Sequence, residues 1–388
     1  MTLNIPNRRE RAAVALADGL LLPARLARLF RRADAAPPKK IVCFRLERIG
    51  DLLMIVPALA TLRALAPDAT IDLVVGSWNA EIAKAIRGID RIETVDAAWL
   101  ARPAVGLSPL RLAAAAAKWR RRRYDLAINF EPDIRSNVAA AAVGARRTAG
   151  YASGGGGPLL DVALPYDPRI HTADNAQSLV AAALGRVPEG PIDASLRLPD
   201  SHRDAAAHLL ARFGDSLVAG IHVSGGRAVK QWPESRFREV AEHLVRDRGA
   251  AIVLTGTPHE RKLLEAVRAA LPPERVLDAA GLDLLTVAAV VERLDLFVTG
   301  DTGPMHLAHA VGTPIVAIFG PSDPKRYAPR GLHDVVVRID LPCSPCNRIR
   351  RPPERCTGHT PDCLAGVDTA QVIAAIDEVL RATARRRR

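Results

Sequence analysis

The sequence predicts an α/β protein of two doubly wound domains whose ligand sites face a common cleft. Two observations carry that prediction. Short apolar runs alternate with helical stretches over residues 41–130, and again over residues 217–319, which is the pattern of parallel sheets covered by crossover helices. Each series also opens alike, with a strand, a glycine-bearing loop and a helix, around Gly50 and again around Gly225 and Gly226. The length of 388 residues, 48% of them apolar, is enough for two separate cores.

Taken in order, residues 8–32 mix leucines with arginines and suit a basic amphipathic segment lying on an anionic membrane face, broken into two pieces by Pro23. A helix packed on the protein's own body, or a frayed terminus, fits the same residues. Ala35 to Lys40 is a linker. Strands are expected at residues 41–46, 71–75, 92–95 and 126–130, with an apolar helix over 52–66, a helical stretch from Trp78 and a helix over 109–122. The glycine run within residues 150–158 reads as a flexible loop. A connecting region with a helix near 175–184 leads to the second series. Its strands are expected at 217–223, 251–255, 276–278, 294–298 and 314–319, with helices from Glu234, after Glu260, over 283–293 and after Thr302.

The most informative stretch runs from Leu294 to Ala310, where an apolar strand ends in Thr299-Gly300-Asp301-Thr302-Gly303 and a helical pattern begins. Thr302 suits the N-cap and Pro304 the first turn. Unpaired N–H groups at such a start bind phosphate, so this stretch is a candidate diphosphate cradle with His306 one turn inside. An ordinary strand-to-helix turn is the alternative. Two further loops fall at strand ends of the same domain, one carrying Lys230 and one Glu260. A mobile ammonium serves a diphosphate, and a carboxylate serves a pair of ribose hydroxyls. In the first domain the matching loop carries Asp51, which would either act as a base in the cleft or cap the helix that follows.

Net charge is +12 and lies in local arginine runs, which favours anionic partners. No zinc-finger, homeodomain or RNA-recognition signature accompanies it, so nucleic acid is not the expected partner. No apolar run has the length of a membrane span, and no secretory signal is evident, so a cytoplasmic location is expected. Cys343, Cys346, Cys356 and Cys363 have spacing that could hold a structural zinc, although the second pair lacks a tight C-x-x-C; free thiols or a disulfide fit as well.

Three motifs in order resemble glycosyltransferase family 9, the lipopolysaccharide heptosyltransferases. They are the stretch from Phe44 to Leu59 containing Ile49-Gly50-Asp51, the group Lys230-Gln231-Trp232-Pro233 with Phe237, and the stretch Gly300 to Ala308. The segments Arg146 to Tyr151 and Thr255 to Glu260 add to the likeness, which covers roughly residues 40–330. The resemblance implies a GT-B fold of two Rossmann-like domains. It implies inverting transfer of a heptose from ADP-heptose to a lipid A/core oligosaccharide acceptor in lipopolysaccharide biosynthesis. By motif, Asp51 corresponds to the catalytic base and Lys230 to a catalytic and phosphate-binding lysine. Glu260 corresponds to the ribose acid, and Asp301, Thr302, Gly303 and His306 to the loop around diphosphate and sugar. Glu47-Arg48 departs from the small residues usual before Ile-Gly-Asp, which bears on the acceptor.

The implied organisation is a basic N-terminal segment (1–38), an acceptor domain (39–185), a donor domain (186–365) and a C-terminal helix with a basic tail (366–388). No cofactor is expected for catalysis, since Lys230, Thr302 and the N–H of Gly303 already supply positive charge to a leaving diphosphate. Expected partners are a nucleotide-diphosphate sugar, a lipid-linked saccharide and the cytoplasmic face of the inner membrane, with peripheral attachment there. Another nucleotide-sugar enzyme of this fold, an epimerase or hydrolase, and a non-catalytic nucleotide-binding membrane adaptor are the competing readings. A dinucleotide redox enzyme is disfavoured because the first loop lacks G-x-G-x-x-G.

Overall fold

A computed structural model describes residues 3–5, 7–29, 36–96 and 109–384 of the chain. It divides into two compact units, Met1–Ala194 and Ser195–Arg388, so the division falls after Ala194, some way past the residue 185 read from the sequence.

The first unit holds strands β1 (Lys40–Arg45), β2 (Thr70–Val75), β3 (Arg91–Thr94), β4 (Leu126–Asn129), β5 (Arg147–Tyr151) and β6 (Val162–Leu164). They form one parallel sheet in the order β3-β2-β1-β4-β5-β6. The second holds β7 (Val218–His222), β8 (Ala251–Thr255), β9 (Val276–Asp278), β10 (Leu296–Gly300), β11 (Ile315–Ile318) and β12 (Val335–Val337). Its sheet is also parallel, in the order β12-β11-β10-β7-β8-β9. Both orders reverse at one place, beside β1 and β4 in the first unit and beside β7 and β10 in the second. Ligands of doubly wound sheets bind at the carboxyl ends of the strands flanking that reversal, so the loops after those four strands are where a site belongs. The central strands are apolar nearly throughout because helices cover both faces. β7, β8 and β10 are buried along their whole length.

Several expectations change. The apolar stretch at 52–66 is two helices, α3 (Ile49–Met54) and α4 (Val56–Leu65), because Pro57 has no N–H for the Leu53 carbonyl and its ring crowds that position. The glycine run is a packed turn rather than a loose loop. The Asn137 amide donates to the carbonyls of Tyr151 (2.9 Å) and Gly155 (2.7 Å), and a Cβ at Gly154 would lie 1.9 Å from the Pro132 carbonyl oxygen. Strands β5, β6 and β12 had not been expected.

The N-terminal segment does form two helices, α1 (Arg8–Leu20) and α2 (Leu22–Leu29), with Pro23 in the first turn of the second. Phe30, Arg31, Arg32, Ala35 and the tail arginines 385–388 lie outside the described residues. At the other end, helix Thr369–Ala384 buries Val372, Ile376 and Val379 in the second core. Among the described residues no helix is long and apolar enough to cross a membrane.

Candidate active site

In the first unit, strand β1 ends on Arg45, a guanidinium only 3% exposed. Its Nη1 donates to the Phe130 carbonyl at the end of β4 (2.5 Å), so it bridges the reversal point of the sheet. Its Nε donates to the Asp51 carbonyl (3.1 Å), and its Nη2 lies 3.3 Å from Asp51 Oδ1 and 3.2 Å from Glu47 Oε2. The other oxygen of Asp51 accepts the Arg48 N–H at 3.3 Å, closing the first turn of α3. Asp51 is therefore not the cap of a helix beginning at Leu52, as one reading of the sequence has it: the helix starts at Ile49 with Arg48 as its N-cap, and Asp51 is a first-turn residue that reaches back to the Arg48 N–H and stays 32% exposed at the strand ends.

Beneath the loop sits Glu131, buried just after β4, whose Oε1 accepts the N–H groups of Leu46 and of Glu47 (3.0 Å). Burial pushes its carboxyl upward, and Arg45 works against that shift. Burial would lower the Arg45 guanidinium, but the carboxylates of Glu47, Asp51 and Glu131 outweigh it and raise it further. The unit thus builds a buried cation with three acids around it, Glu131 buried and Glu47 and Asp51 partly exposed.

In the second unit the loops after β7 and β10 meet. Lys230 Nζ lies 2.8 Å from Asp301 Oδ2. Burial alone would raise the Asp301 carboxyl; Lys230, Ser322 and His306 together pull it below the ordinary range. The Lys230 loop is fixed by its neighbours. Gln231 accepts the Gly225 N–H (2.7 Å) and donates to the carbonyls of Val223 and Trp232 (2.7 Å each). Trp232 donates to the Val367 carbonyl (3.0 Å) and packs edge-on against Phe237. The loops approach so closely that a Cβ at Gly225 would lie 2.5 Å from the Lys230 carbonyl.

Helix Gly303–Val311 has Thr302 as its N-cap residue, but the Thr302 side chain makes no capping bond. It turns instead to the Thr299 hydroxyl (3.1 Å) and the Gly300 carbonyl (3.4 Å). The helix start therefore has no side-chain acceptor of its own, as an anion cradle requires. His306 is buried one turn in.

Glu260 follows β8. Its Oε2 accepts from the Thr257 N–H (2.8 Å) and hydroxyl (2.9 Å). Burial acts to raise it, but bonds from Ser224 and Thr257 and the nearby His222 leave it lowered. Ser224 in turn accepts the Gly226 N–H (3.1 Å), which ties the Glu260 end of the site to the Lys230 loop.

The structure thus brings Lys230, Asp301, Thr302 and His306 together at one reversal point, with Glu260 on the adjoining strand end, and sets Asp51 at the other. Sequence reasoning passed over Arg45, Glu131, Ser224 and Ser322. A charged residue closing a run of buried strand residues was the available signal for Arg45 and Glu131; the two serines had none.

The four C-terminal cysteines are free thiols, Cys343 exposed and Cys363 buried. Among the described residues no group of His, Cys, Asp or Glu is placed to hold a metal ion. The zinc site suggested by their spacing is not built. Cys363 lies in the short helix Asp362–Ala365 and turns into the core beside Leu364, while Cys343 stays at the surface. Burial and the neighbouring thiols push Cys363 up to about 11.

Two parallel doubly wound units with polar residues gathered at the reversal points are the architecture of the GT-B class. The chain belongs to glycosyltransferase family 9 (heptosyltransferase), whose model matches residues 113–356. It is 28% identical over 325 residues to lipopolysaccharide heptosyltransferase 1 of Pseudomonas aeruginosa, covering 79% of this chain and 86% of that relative. Among solved structures it is similar to the glycosyl transferase family 9 protein of Veillonella parvula (25% identity, TM-score 0.77, 90% of this chain and 99% of that one). It also resembles E. coli heptosyltransferase WaaC with ADP-2-deoxy-2-fluoro heptose (21% identity, TM-score 0.65, 87% and 99%), a likeness that speaks to the fold alone.

Proposed function

We propose that the protein moves a heptose from ADP-heptose onto a lipid A/core oligosaccharide acceptor, with inversion, at the cytoplasmic face of the inner membrane. The observation that carries this reading is the division of labour between the units. One offers a partly exposed carboxylate beside a buried cation, and the other a lysine, a helix start without a side-chain cap and a depressed acid at adjoining strand ends. The first unit is the acceptor domain and the second the donor domain.

In the step itself, Asp51 takes the proton of the acceptor hydroxyl. The hydroxyl oxygen bonds to the anomeric carbon from the face opposite the diphosphate. The bond from that carbon to the diphosphate oxygen breaks, and ADP leaves with the electron pair. Arg45 holds Asp51 in place through the Asp51 side chain and carbonyl, and a carboxylate serves as a base here by its placement. Lys230, released from Asp301 by the incoming diphosphate, and the N–H of Gly303 meet the charge that grows on the leaving group. Glu260 receives the ribose hydroxyls, Asp301 and His306 border the diphosphate and sugar, and Thr302 adds a hydroxyl. The reading asks for no cofactor.

Transfer of labelled heptose from ADP-heptose to heptose-deficient lipopolysaccharide tests it. Asp51→Ala is expected to lose about 10²–10⁴-fold in turnover while holding ADP-heptose within a few-fold. Lys230→Ala is expected to weaken donor binding and also to lose about 10²–10³-fold in turnover. Full activity in Asp51→Ala removes the base assignment, and release of free sugar without transfer points to a hydrolase instead.

A further inference from the structure

Beside the Asp51 loop stands an aromatic ring that the transfer chemistry leaves unused. Trp78 follows β2, the strand paired with β1 in the register Arg45 to Val75, so it sits at the same end of the sheet as Arg45 and Asp51. It is 37% exposed, whereas Trp119 and Trp232 are buried in the cores.

Three contacts fix the ring. Its indole N–H donates to the Glu47 carbonyl at 2.9 Å. The Asn79 side chain donates to the same carbonyl at 2.7 Å. The six-membered part of the indole lies on the backbone of Gly76, where a Cβ would come within 2.3 Å of Cε2 and Cζ2. With Gly76 close against the six-membered part and the N–H edge held at Glu47, the rest of the indole is what remains for solvent, next to the loop that carries Glu47.

A rigid, half-open indole tied to the base loop is not explained by core packing. Its open part is a preformed apolar surface, held in place by the bond to Glu47 and the close approach to Gly76. The negative face of an aromatic ring attracts the polarised C–H bonds of a sugar face, and saccharide hydroxyls leave such a face free to stack.

We propose that Trp78 is the platform on which a sugar ring of the acceptor stacks, so that its hydroxyl meets Asp51. The inference rests on the transfer reading above and adds the acceptor subsite to it. Trp78 is a binding residue here, and its N–H to Glu47 is a positioning contact. The two roles separate experimentally, because Phe keeps a ring and loses the N–H while Asn79 still holds the Glu47 carbonyl.

The test is steady-state transfer to O-deacylated, heptose-deficient lipopolysaccharide by the full chain, with Trp78→Ala, Trp78→Phe and Asp51→Ala side by side and ADP affinity measured for each. Trp78→Ala should raise the acceptor KM about 10- to 30-fold, the size of a lost stacking contact, with kcat and ADP affinity within about 3-fold. Trp78→Phe should stay within about 3-fold of the wild type in acceptor KM. An unchanged acceptor KM in Trp78→Ala overturns the platform. So does an equal loss in Trp78→Phe, or a fall in kcat alone, since either marks a loop anchor only. If Asp51→Ala transfers as fast as the wild type, the transfer reading has failed rather than the platform.

Discussion

Asp301 carries an acid into the proposed diphosphate site, and its surroundings say why it is tolerated. Lys230 neutralises it, and Ser322 and His306 hold it further below the ordinary carboxylate range against the upward push of burial. The pair keeps an ammonium ordered until a stronger anion competes for it. The sign of the linkage follows. Between the depressed folded value and the unfolded value near ~3.9, the unfolded chain binds more protons, so stability rises with pH there. The contribution is complete above the unfolded value and is lost as pH falls through the folded one. Urea unfolding of the wild type should show a midpoint that drops from pH 5 to pH 3, and Asp301→Asn should show a smaller drop. Equal acid sensitivity in the two proteins would remove the linkage from this residue.

At the level of elements, the site depends on loops that glycine lets pass close together. Gly225 and the Lys230 carbonyl leave no room for a methyl group, and the atoms in the way are backbone rather than the end of a side chain. Gly225→Ala should therefore displace the Lys230 loop. Overpacking of this kind costs about 1–3 kcal/mol, and the expected result is a lowered Tm with ADP affinity about 10-fold weaker; calorimetric titration matching the wild type would contradict it.

The same scale explains what could be read from the chain alone. Alternating strands and helices, the Asp51, Lys230 and Glu260 loops and the Gly303 helix start were legible because each is a local pattern. Strands β6 and β12 span only three residues each at sheet edges and follow irregular segments, whereas β9, equally short, falls between two helical stretches and could be read. The compactness of the glycine run depends on Asn137, and the grip on Asp51 depends on Arg45 bridging to Phe130, 85 residues away in sequence. Pairings of that kind exist only once the sheet has formed. The cysteines were the converse case, a plausible spacing whose thiols lie near enough to raise Cys363 yet form no metal-ligand group among the described residues.

For the whole molecule, the proposed lipid-linked acceptor would require work at a bilayer, and we propose that helices α1 and α2 are the surface for it. Helix α1 is fastened to the body along one side. Asp18 Oδ1 accepts the Gly156 N–H at 2.6 Å, the Asn4 N–H reaches the Ser153 carbonyl at 2.8 Å, and Val14 lies against Gly155. At about 100° per residue, Val14 and Asp18 share that side, and Leu16, Leu20 and Arg9 fall on the opposite one. Leu16 is 73% and Leu20 84% exposed, and Leu22 and Leu26 continue the exposed apolar row on α2 with Arg25 beside them. Outward leucines flanked by arginines fit an anionic lipid surface, into which the apolar chains sink while the guanidiniums meet headgroups. The full chain should sediment with vesicles of phosphatidylglycerol and phosphatidylethanolamine, less so as salt rises, and not with phosphatidylcholine alone. Leu16→Ser with Leu20→Ser should cut binding about 10-fold or more, given roughly 1.5–3 kcal/mol for each leucine fully withdrawn from water, while transfer to a soluble deacylated acceptor stays unchanged. Binding that ignores lipid charge, or survives the double substitution, would dismiss the surface. Dimers lost on the same substitution would instead assign it to a second copy of the chain.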